Sequence, residues 1–317
     1  MVCKMRIGID LGGTNIAAAF VDDNGTIAER VSIRTNAHEG EQTVVEGLLT
    51  VCDMLVEEAH VSPSSVGIGV PGAVNTKKGI VPFTANLPIG GVNITDGIHR
   101  KYGCPVYLGN DANCAALGEV TVGGAKGVES AVVVTLGTGI GGGVILDGKL
   151  HTGLSGAAGE LGHMVIIENG RECGCGRRGC WETYASATGL KKTVEEFAQT
   201  HPDSMLHSLR DADTQKISGR AIFVAYHAND EAARLALDQY IKHLATGIAN
   251  LINILEPEVV CVGGGISNEW GTIEAQLNAA VDAEKITRFS AGEQMTRLVR
   301  AQLGNDAGII GAAMLGD

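Results

Sequence analysis

One histidine and three cysteines in the middle of the chain form a complete donor set for a metal ion: His163, Cys173, Cys175 and Cys180. One imidazole and three thiolates make the tetrahedral Cys₃His set that Zn²⁺ takes in structural sites. The Cys-x-Cys spacing is tighter than in most zinc motifs, but three thiols leave one unpaired in any intramolecular disulfide scheme. We therefore predict a closed, structural zinc site in the loop 159–182.

Two carboxylates flank these ligands, since Glu160 precedes them and Glu182 follows them. A metal bound between the two would lock both carboxylates in place. Fixed carboxylates suit hydrogen bonds from the hydroxyl groups of a sugar, because a site built for polar groups penalises substrates that lack them. The sequence thus predicts a polar small-molecule site beside the zinc loop.

Asn110 and Asp111 lie where a short strand, predicted over 105–108, meets a stretch that favours a helix, 112–120. A carboxylate at that junction can accept the proton of a substrate hydroxyl. Such a base assists phosphoryl transfer, although positioning and charge neutralisation supply most of the rate. An Asp that caps the helix is the structural alternative, and the two residues by themselves leave both interpretations open.

Two glycine turns between strand-like runs suit phosphate groups, because such turns free several backbone N–H groups to face one point. The first is Asp10-Leu11-Gly12-Gly13-Thr14, in which Thr14 adds a hydroxyl donor. Asp10 ends a strand at the same place, where its carboxylate can hold Mg²⁺ through water. A tight hairpin in which Asp10 caps its own turn is equally consistent with this stretch.

The second glycine turn, over 137–143, also satisfies the dinucleotide-binding pattern G-x-G-x-x-G, with Glu160 near the distance expected of a ribose-binding acid. That fingerprint requires a helix to begin at its last glycines. Residues 144–148 indicate a strand and a turn instead. A second phosphate-holding hairpin, facing the first across a cleft, therefore fits the sequence better than a Rossmann turn.

The elements that must position these residues alternate between strand and helix, which predicts an α/β fold. Glycine accounts for 45 residues, and its clusters follow β-branched runs, where a chain turns sharply or approaches a ligand. Both halves begin with strand, glycine turn and strand, which indicates a duplicated architecture. Strands are predicted over 6–11, 16–21, 27–35, 65–70, 105–108, 130–136, 143–146 and 259–262, and helices over 42–59, 112–120, 231–255 and 307–315, the last with Asp306 as its N-cap.

Composition excludes several classes of protein. The chain has 317 residues, which predicts about two lobes, and a formal net charge of −12, which argues against a nucleic-acid-binding protein with a basic face. No apolar run reaches the roughly 18 residues of a membrane helix, and the first residues lead into a strand rather than a signal peptide. We expect a cytoplasmic protein without a membrane partner.

Taken together, these motifs resemble the ROK family of sugar kinases, within the hexokinase–actin ATPase superfamily. The resemblance implies two ribonuclease-H-like lobes with ATP, Mg²⁺ and a sugar bound in a cleft between them. The small lobe would comprise 1–112, joined by the C-terminal helix 300–317, and the large lobe 113–299 with the zinc loop. The segments that carry the resemblance are 10–14, 67–72, 110–111, 137–143, 159–182 and 263–265.

The resemblance also implies a role for each candidate residue. Asp111 would be the general base that takes the proton of the sugar hydroxyl, and His163 would turn one ring nitrogen to zinc and the other to the sugar. The sugar would be bound by Gly72, Asn86, Asn110, Asp111, Glu160, His163 and Glu182. The nucleotide phosphates would be held by Gly12, Gly13, Thr14, Thr138 and Gly139, and the adenosine by Gly264 and Gly265.

Within the family, segments 69–72 and 85–88 are most similar to the glucokinases, which implies phosphorylation of the 6-hydroxyl of glucose. Kinases of N-acetylmannosamine, allose or fructose share most of these residues, and the glycine turns do not distinguish ATP from polyphosphate. ROK repressors share the sugar-binding core but carry an N-terminal helix-turn-helix, for which the early position of Asp10 leaves no room. The resemblance further implies a homodimer or a homotetramer.

Overall fold

The chain builds two five-stranded sheets with helices packed against them in the computed structural model, which describes residues 4–76, 78–84, 87–286 and 295–316. The α/β prediction is confirmed. Two compact units are distinguished: unit 1 contains residues 1–133, 142–159 and 301–317, and unit 2 contains 134–141 and 160–300. The lobe boundaries expected from the sequence, 1–112 with 300–317 and 113–299, stay a prediction.

The first sheet has the strand order β3-β2-β1-β4-β5. Its first three strands form an antiparallel meander, whereas β4 pairs with β1, and β5 with β4, in parallel. The parallel strands are short apolar runs, and β1 and β4 are almost wholly buried, as expected of strands covered on both faces. The strands are β1 Arg6–Leu11, β2 Asn15–Val21, β3 Ile27–Arg34, β4 Val66–Val70 and β5 Val106–Asn110.

The second sheet repeats this arrangement, because its order β10-β9-β6-β7-β8 places the first strand in the centre, with its two successors on one side. The pair β7–β8 is antiparallel and the pair β9–β10 is parallel, as at the matching positions of the first sheet. The duplication indicated by the sequence is therefore present in the topology. The strands are β6 Ala131–Leu136, β7 Ile140–Leu146, β8 Lys149–Leu150, β9 Val259–Gly263 and β10 Arg297–Arg300.

The helices begin at polar caps where the sequence supplies them. Ser186, Ser218 and Asp230 each accept a backbone N–H of the first turn, which satisfies a donor that the helix cannot pair internally. None of the helices over the described ranges combines the length and apolar character needed to cross a bilayer. They are α1 Glu41–Ala59, α2 Asp96–Tyr102, α3 Asp111–Thr121, α4 Glu182–Ala185, α5 Ala187–Thr200, α6 Gly219–His227, α7 Glu231–Leu255, α8 Trp270–Glu284 and α9 Ala307–Ala313.

The last helix, α9, packs backbone to backbone against the first sheet and α3. A Cβ added at Gly8 of β1 would lie 1.9 Å from the carbonyl oxygen of Ile309, and one at Gly67 of β4 would lie 1.7 Å from that of Ala312. On the α3 side, a Cβ at Gly311 would lie 1.6 Å from the carbonyl oxygen of Cys114. Only glycine allows this close approach, which explains its presence inside these elements.

Asp306 occupies the N-cap position of α9, as predicted, but its side chain does not cap the helix. The residue precedes the helix, but its backbone is in the right-handed helical region and its side chain makes no capping hydrogen bond. Its carboxylate pairs instead with the guanidinium of Arg30 on β3. A short helical turn, Gly304–Asp306, leads directly into α9, so a true cap with extended backbone is not formed at this position.

Candidate active site

The junction of β5 and α3 holds Asn110 and Asp111 in different ways. Asn110 is the N-cap of α3: its Oδ1 accepts the N–H of Asn113 at 3.0 Å, and its Nδ2 donates to the carbonyl of Gly72 at 3.2 Å. Asp111 is the first helical residue and is exposed, with Oδ1 accepting the N–H of Ala112 at 2.8 Å. The cap alternative raised for Asp111 therefore belongs to Asn110, and the carboxylate of Asp111 reaches solvent.

Asp10 lies near Asp111 because β1, β4 and β5 run parallel and end at one edge of the sheet. In this register Asp10 pairs with Gly69, and Asn110 pairs with Val70. Burial raises the pKa of the Asp10 carboxyl, and the negative charge of Asp111 raises it further. Two neighbouring carboxylates suit a hard divalent cation such as Mg²⁺, which takes oxygen ligands and keeps much of its water. The arrangement fits the predicted role of Asp10.

The first glycine turn is a hairpin between β1 and β2. The N–H of Gly12 donates to the carbonyl of Asn15 at 3.0 Å, and the hydroxyl of Thr35 donates to the carbonyl of Gly12 at 2.7 Å. Gly13 and Thr14 are exposed at its tip. A fixed turn with an exposed tip is the geometry in which backbone N–H groups can receive a phosphate.

The second glycine turn is also a hairpin, as predicted. A dinucleotide-binding turn is excluded, because the strand β7 follows it instead of a helix. The N–H of Gly137 donates to the carbonyl of Gly139 at 3.0 Å, and the N–H of Ala187 donates to the carbonyl of Gly137 at 2.9 Å. Thr138 is exposed at the tip. The strand begins at Ile140, three residues earlier than expected, because glycines 141–143 continue it.

Gly264 and Gly265 follow β9 and open a short helical turn, Gly265–Glu269. Gly264 has φ +84°, and a Cβ there would lie 2.4 Å from the carbonyl oxygen of Leu136. Gly265 has open space on its side-chain side. The first glycine thus allows the close contact with β6, and the second leaves the surface accessible, as a site for adenosine would require.

The predicted metal ligands come together. One donor atom from each of His163, Cys173, Cys175 and Cys180, the Cys₃His cluster, lies within 4.8 Å of the others. Cys173 Sγ is 3.5 Å from His163 Nδ1, and Cys175 Sγ is 3.7 Å from Cys180 Sγ. In tetrahedral zinc sites the Zn–S distance is about 2.3 Å and the Zn–N distance about 2.0 Å. These lengths place a ligand sulfur about 3.5 Å from a ligand nitrogen and about 3.8 Å from another ligand sulfur. The spacing of these donor atoms therefore fits zinc.

The three thiols of the Cys₃His cluster lie in different environments. The backbone N–H of Arg177 lowers the pKa of the Cys175 thiol, which favours the thiolate that a metal binds, whereas burial raises the pKa of Cys173 and of Cys180. Trp181 anchors the end of the loop: it is fully buried, and its Nε1 donates to the carbonyl of His243 on α7 at 2.9 Å. A Cβ at Gly247 of the same helix would lie 2.0 Å from the Trp181 ring, so only glycine leaves room for it.

The two flanking carboxylates lie on different sides of His163. Glu160 Oε2 is 4.0 Å from Nε2 of the ring, whereas Glu182 Oε1 is 3.6 Å from Nδ1. Glu182 also accepts from Cys173 Sγ at 3.0 Å, and its Oε2 accepts the N–H of Ile140 at 3.4 Å. Glu182 therefore joins the Cys₃His cluster to the strand that follows the second glycine turn, a connection that the sequence did not indicate.

Of the predicted sugar-binding residues, Asn86 lies outside the described residues. Gly72 has φ +101°, and its carbonyl accepts a hydrogen bond from Asn110.

Asn113 is a polar residue at this site that was not predicted from the sequence. It is 2% exposed, and its Oδ1 is buried without a hydrogen-bond partner among the described residues. Its one readable signal is its position three residues after the cap, in the first turn of α3.

Comparison with known proteins agrees with this geometry. The ROK family profile matches residues 6–317. The chain belongs to the ROK family. A glucokinase of Halalkalibacterium halodurans is 35% identical over 98% of this chain and 94% of its own. The crystal structure of a ROK family glucokinase from Streptomyces griseus in complex with glucose and AMPPNP matches with TM-score 0.78 and 33% identity over 98% of both chains.

A protein with a different role also matches. A xylose repressor of Bacillus subtilis is 29% identical over 98% of this chain and 76% of its own length. The ROK kinase structures that match have the actin-like ATPase fold of two lobes, so the fold prediction is confirmed. Membership of the family by itself does not separate a kinase from a regulator, and the residues at the site must do so.

Proposed function

We propose that the chain is an ATP-dependent kinase that transfers the γ-phosphoryl group to the 6-hydroxyl of glucose. The observation that carries the proposal is the exposed carboxylate of Asp111 at the start of α3, next to the half-buried Asp10. The similarity to glucokinases supports the choice of reaction. In this proposal the small lobe is built from 1–112 and 300–317, and the large lobe from 113–299.

In the proposed reaction, Asp111 accepts the proton of the sugar hydroxyl as the oxygen attacks phosphorus. Asp10 would hold Mg²⁺, which would supply charge neutralisation for the phosphates. The exposed hairpin tips at Thr14 and Thr138 receive the phosphates through backbone N–H groups and hydroxyls, and Gly264 and Gly265 border the adenosine. Gly12, Gly13 and Gly139 complete these turns.

The sugar is held in this proposal by hydrogen bonds to Glu160, His163 and Glu182, and to Asn86, Asn110 and the Gly72 backbone. The Cys₃His cluster would hold a structural zinc ion, which fixes the loop between the two carboxylates. A closed set of four protein ligands leaves no open position on the metal, so its contribution is structural rather than catalytic.

The experiment is a coupled assay of ADP release with glucose, fructose, allose and N-acetylmannosamine, followed by enzymatic detection of the 6-phosphate. Turnover that is highest with glucose supports the proposal, and absence of turnover with every hexose overturns it. ATP and polyphosphate are compared as donors under the same conditions. Turnover with polyphosphate alone would replace ATP in the proposal.

The role of Asp111 is tested by Asp111→Asn, which keeps the size of the side chain and its bond to the helix backbone. We expect kcat to fall by about 10²–10⁴-fold, while the affinity for glucose measured by calorimetry changes only a few-fold. Asp96→Asn is the matched control, because Asp96 also occupies the first turn of a helix in unit 1. Equal kcat in the two variants would exclude Asp111 as the base.

A sugar-responsive regulator is the second candidate, supported by the similarity to a xylose repressor. The net charge of −12 disfavours it, because binding to DNA depends on neutralising phosphates with basic residues. Retention of DNA at physiological salt, released by a sugar and without hexokinase turnover, would favour the regulator over the kinase.

A further inference from the structure

Arg171, two residues before Cys173, makes four side-chain hydrogen bonds. Its side chain is 17% exposed. Nη1 donates to the carbonyls of Thr183 at 3.0 Å and Gly189 at 3.3 Å, and Nη2 donates to Thr193 Oγ1 at 3.0 Å and to Glu196 at 2.7 Å. A largely buried guanidinium is tolerated only when its donors are satisfied, and here both terminal nitrogens are.

These contacts join two different elements. Thr183 lies on α4, which begins at Glu182, and the other three acceptors lie on α5. Because α4 has only four residues, the carbonyl of Thr183 has no partner further along that helix. Arg171 therefore fixes the angle between α4 and α5, and with it the direction in which Glu182 projects.

The backbone of Arg171 is fixed as firmly as its side chain. Its N–H donates to the hydroxyl of Tyr184 at 2.6 Å, and its carbonyl accepts the N–H of Gly179 at 2.8 Å. The guanidinium carbon lies 4.7 Å from the centroid of the Tyr184 ring, within the range of a cation–π contact. The residue thus closes the base of the small hairpin, residues 171–180, that carries all three cysteines.

We propose that Arg171 is a positioning residue, which locks the hairpin 171–180 onto α4 and α5 and thereby presets the metal ligands and Glu182 relative to one another. One side chain reaches across to the helix that carries Glu182, while its main chain begins the hairpin that carries Cys173 and Cys175. The inference rests on the proposed metal site and on the proposed function of Glu182. Its consequence is a site that is formed before zinc binds.

The test compares Arg171→Met with Arg210→Met. Arg210 is a matched control, because it donates two hydrogen bonds of 2.8 and 2.7 Å to Glu195 on the same helix, α5, and is similarly shielded at 21% exposed. It does not contact the hairpin. Zinc content is measured by mass spectrometry, and zinc affinity by competition with a chromophoric chelator on the full chain.

We expect Arg171→Met to weaken zinc binding by about 10–100-fold, the range found when residues that orient metal ligands are removed. Arg210→Met should bind zinc like the wild type. Arg171→Lys keeps the charge, but its single ammonium group cannot make all the hydrogen bonds to α4 and α5 that the two guanidinium nitrogens make. Its zinc affinity should therefore lie between those of Arg171→Met and the wild type. The KM for glucose should rise in the order wild type, Arg171→Lys, Arg171→Met, because Glu182 moves with α4.

The outcomes separate the inference from the proposals beneath it. A wild-type protein that binds no zinc overturns the metal site itself. A wild type that binds zinc, with Arg171→Met and Arg210→Met equally affected, overturns the positioning role of Arg171. If Arg171→Met does not fold, Arg171→Lys decides the question, since wild-type zinc affinity and KM in that variant contradict the inference.

Discussion

Asn110 performs two local tasks at the junction of β5 and α3, and substitution separates them. Its Oδ1 caps α3, and its Nδ2 donates to the Gly72 carbonyl. Loss of a cap costs about 1 kcal/mol and loss of a neutral hydrogen bond about 1 kcal/mol. Asn110→Ala should therefore lower the free energy of unfolding of unit 1 by about 2 kcal/mol, and Asn110→Ser, which keeps a cap, by about 1 kcal/mol.

The same substitutions should affect catalysis, because the first turn of α3 carries Asp111. Without its cap the turn frays, so Asn110→Ala should lower kcat more than Asn110→Ser. Ser218→Ala is the control: Ser218 caps a different helix, α6, by accepting the N–H of Ala221 at 3.1 Å. It should lose about 1 kcal/mol, as Asn110→Ser does, while keeping wild-type kcat.

Urea unfolding followed by circular dichroism measures the first effect, and the coupled assay under saturating glucose and ATP measures the second. Equal stability of Asn110→Ala and Asn110→Ser would refute the capping role. A loss of kcat in Ser218→Ala as large as in Asn110→Ala would show that activity follows global stability, and that the turn has no specific part in placing Asp111.

Two further predictions concern packing and pH. Gly67→Ala would place a Cβ 1.7 Å from the carbonyl oxygen of Ala312, so its free energy of unfolding, measured by thermal unfolding, should fall by about 1–3 kcal/mol. Gly97→Ala on α2 is the control, because its Cβ would lie 3.6 Å from the nearest atom and stability should hardly change. Burial, and then the charge of Arg171, lower the pKa of His243, so below about pH 6.5 the unfolded chain takes up a proton that the folded one does not. Stability should therefore fall from pH 8 to pH 5.5, and less steeply in His243→Phe; an equal slope in both proteins contradicts this.

The parallel strands β1, β4, β5 and β9 could be predicted from the sequence, because they are short, largely apolar and followed or ended by glycine or Asn. The strand predicted over 6–11 is confirmed residue for residue, and the long helix over 231–255 is confirmed at both ends. In both elements, the spacing of the apolar residues and the residues at the ends indicate the same bounds. Such agreement between local signals is what makes an element predictable.

Other elements were missed for two different reasons. Helix α5 carries a readable pattern, with Ser186 as cap and Leu190, Val194 and Ala198 buried on one face, and could have been predicted. Strand β8 has two residues and β10 four, and neither alternates clearly between buried and exposed. They exist because a neighbouring strand offers hydrogen bonds, and no local pattern records that.

Residue types at the site were more predictable than their partners. Three thiols and one imidazole in a short loop suffice to predict a Cys₃His cluster, because the chemistry of the donors is local. The partners of Glu182 depend on where two separate segments arrive in space. Its Oε2 accepts the N–H of Ile140, and its Oε1 lies beside His163. Neither the spacing of residues along the sequence nor the composition indicates these two contacts.

The position of Glu182 gives the Cys₃His cluster a consequence beyond holding a loop. A carboxylate that contacts both Cys173 and the N–H of Ile140 links the hairpin 171–180 to the strand after the second glycine turn. A change that moves α4 therefore disturbs the group proposed to bind sugar and a residue next to the turn proposed to bind phosphate. Loss of the metal should accordingly raise KM for both substrates together, whereas a purely sugar-binding role for Glu182 would raise only that for glucose.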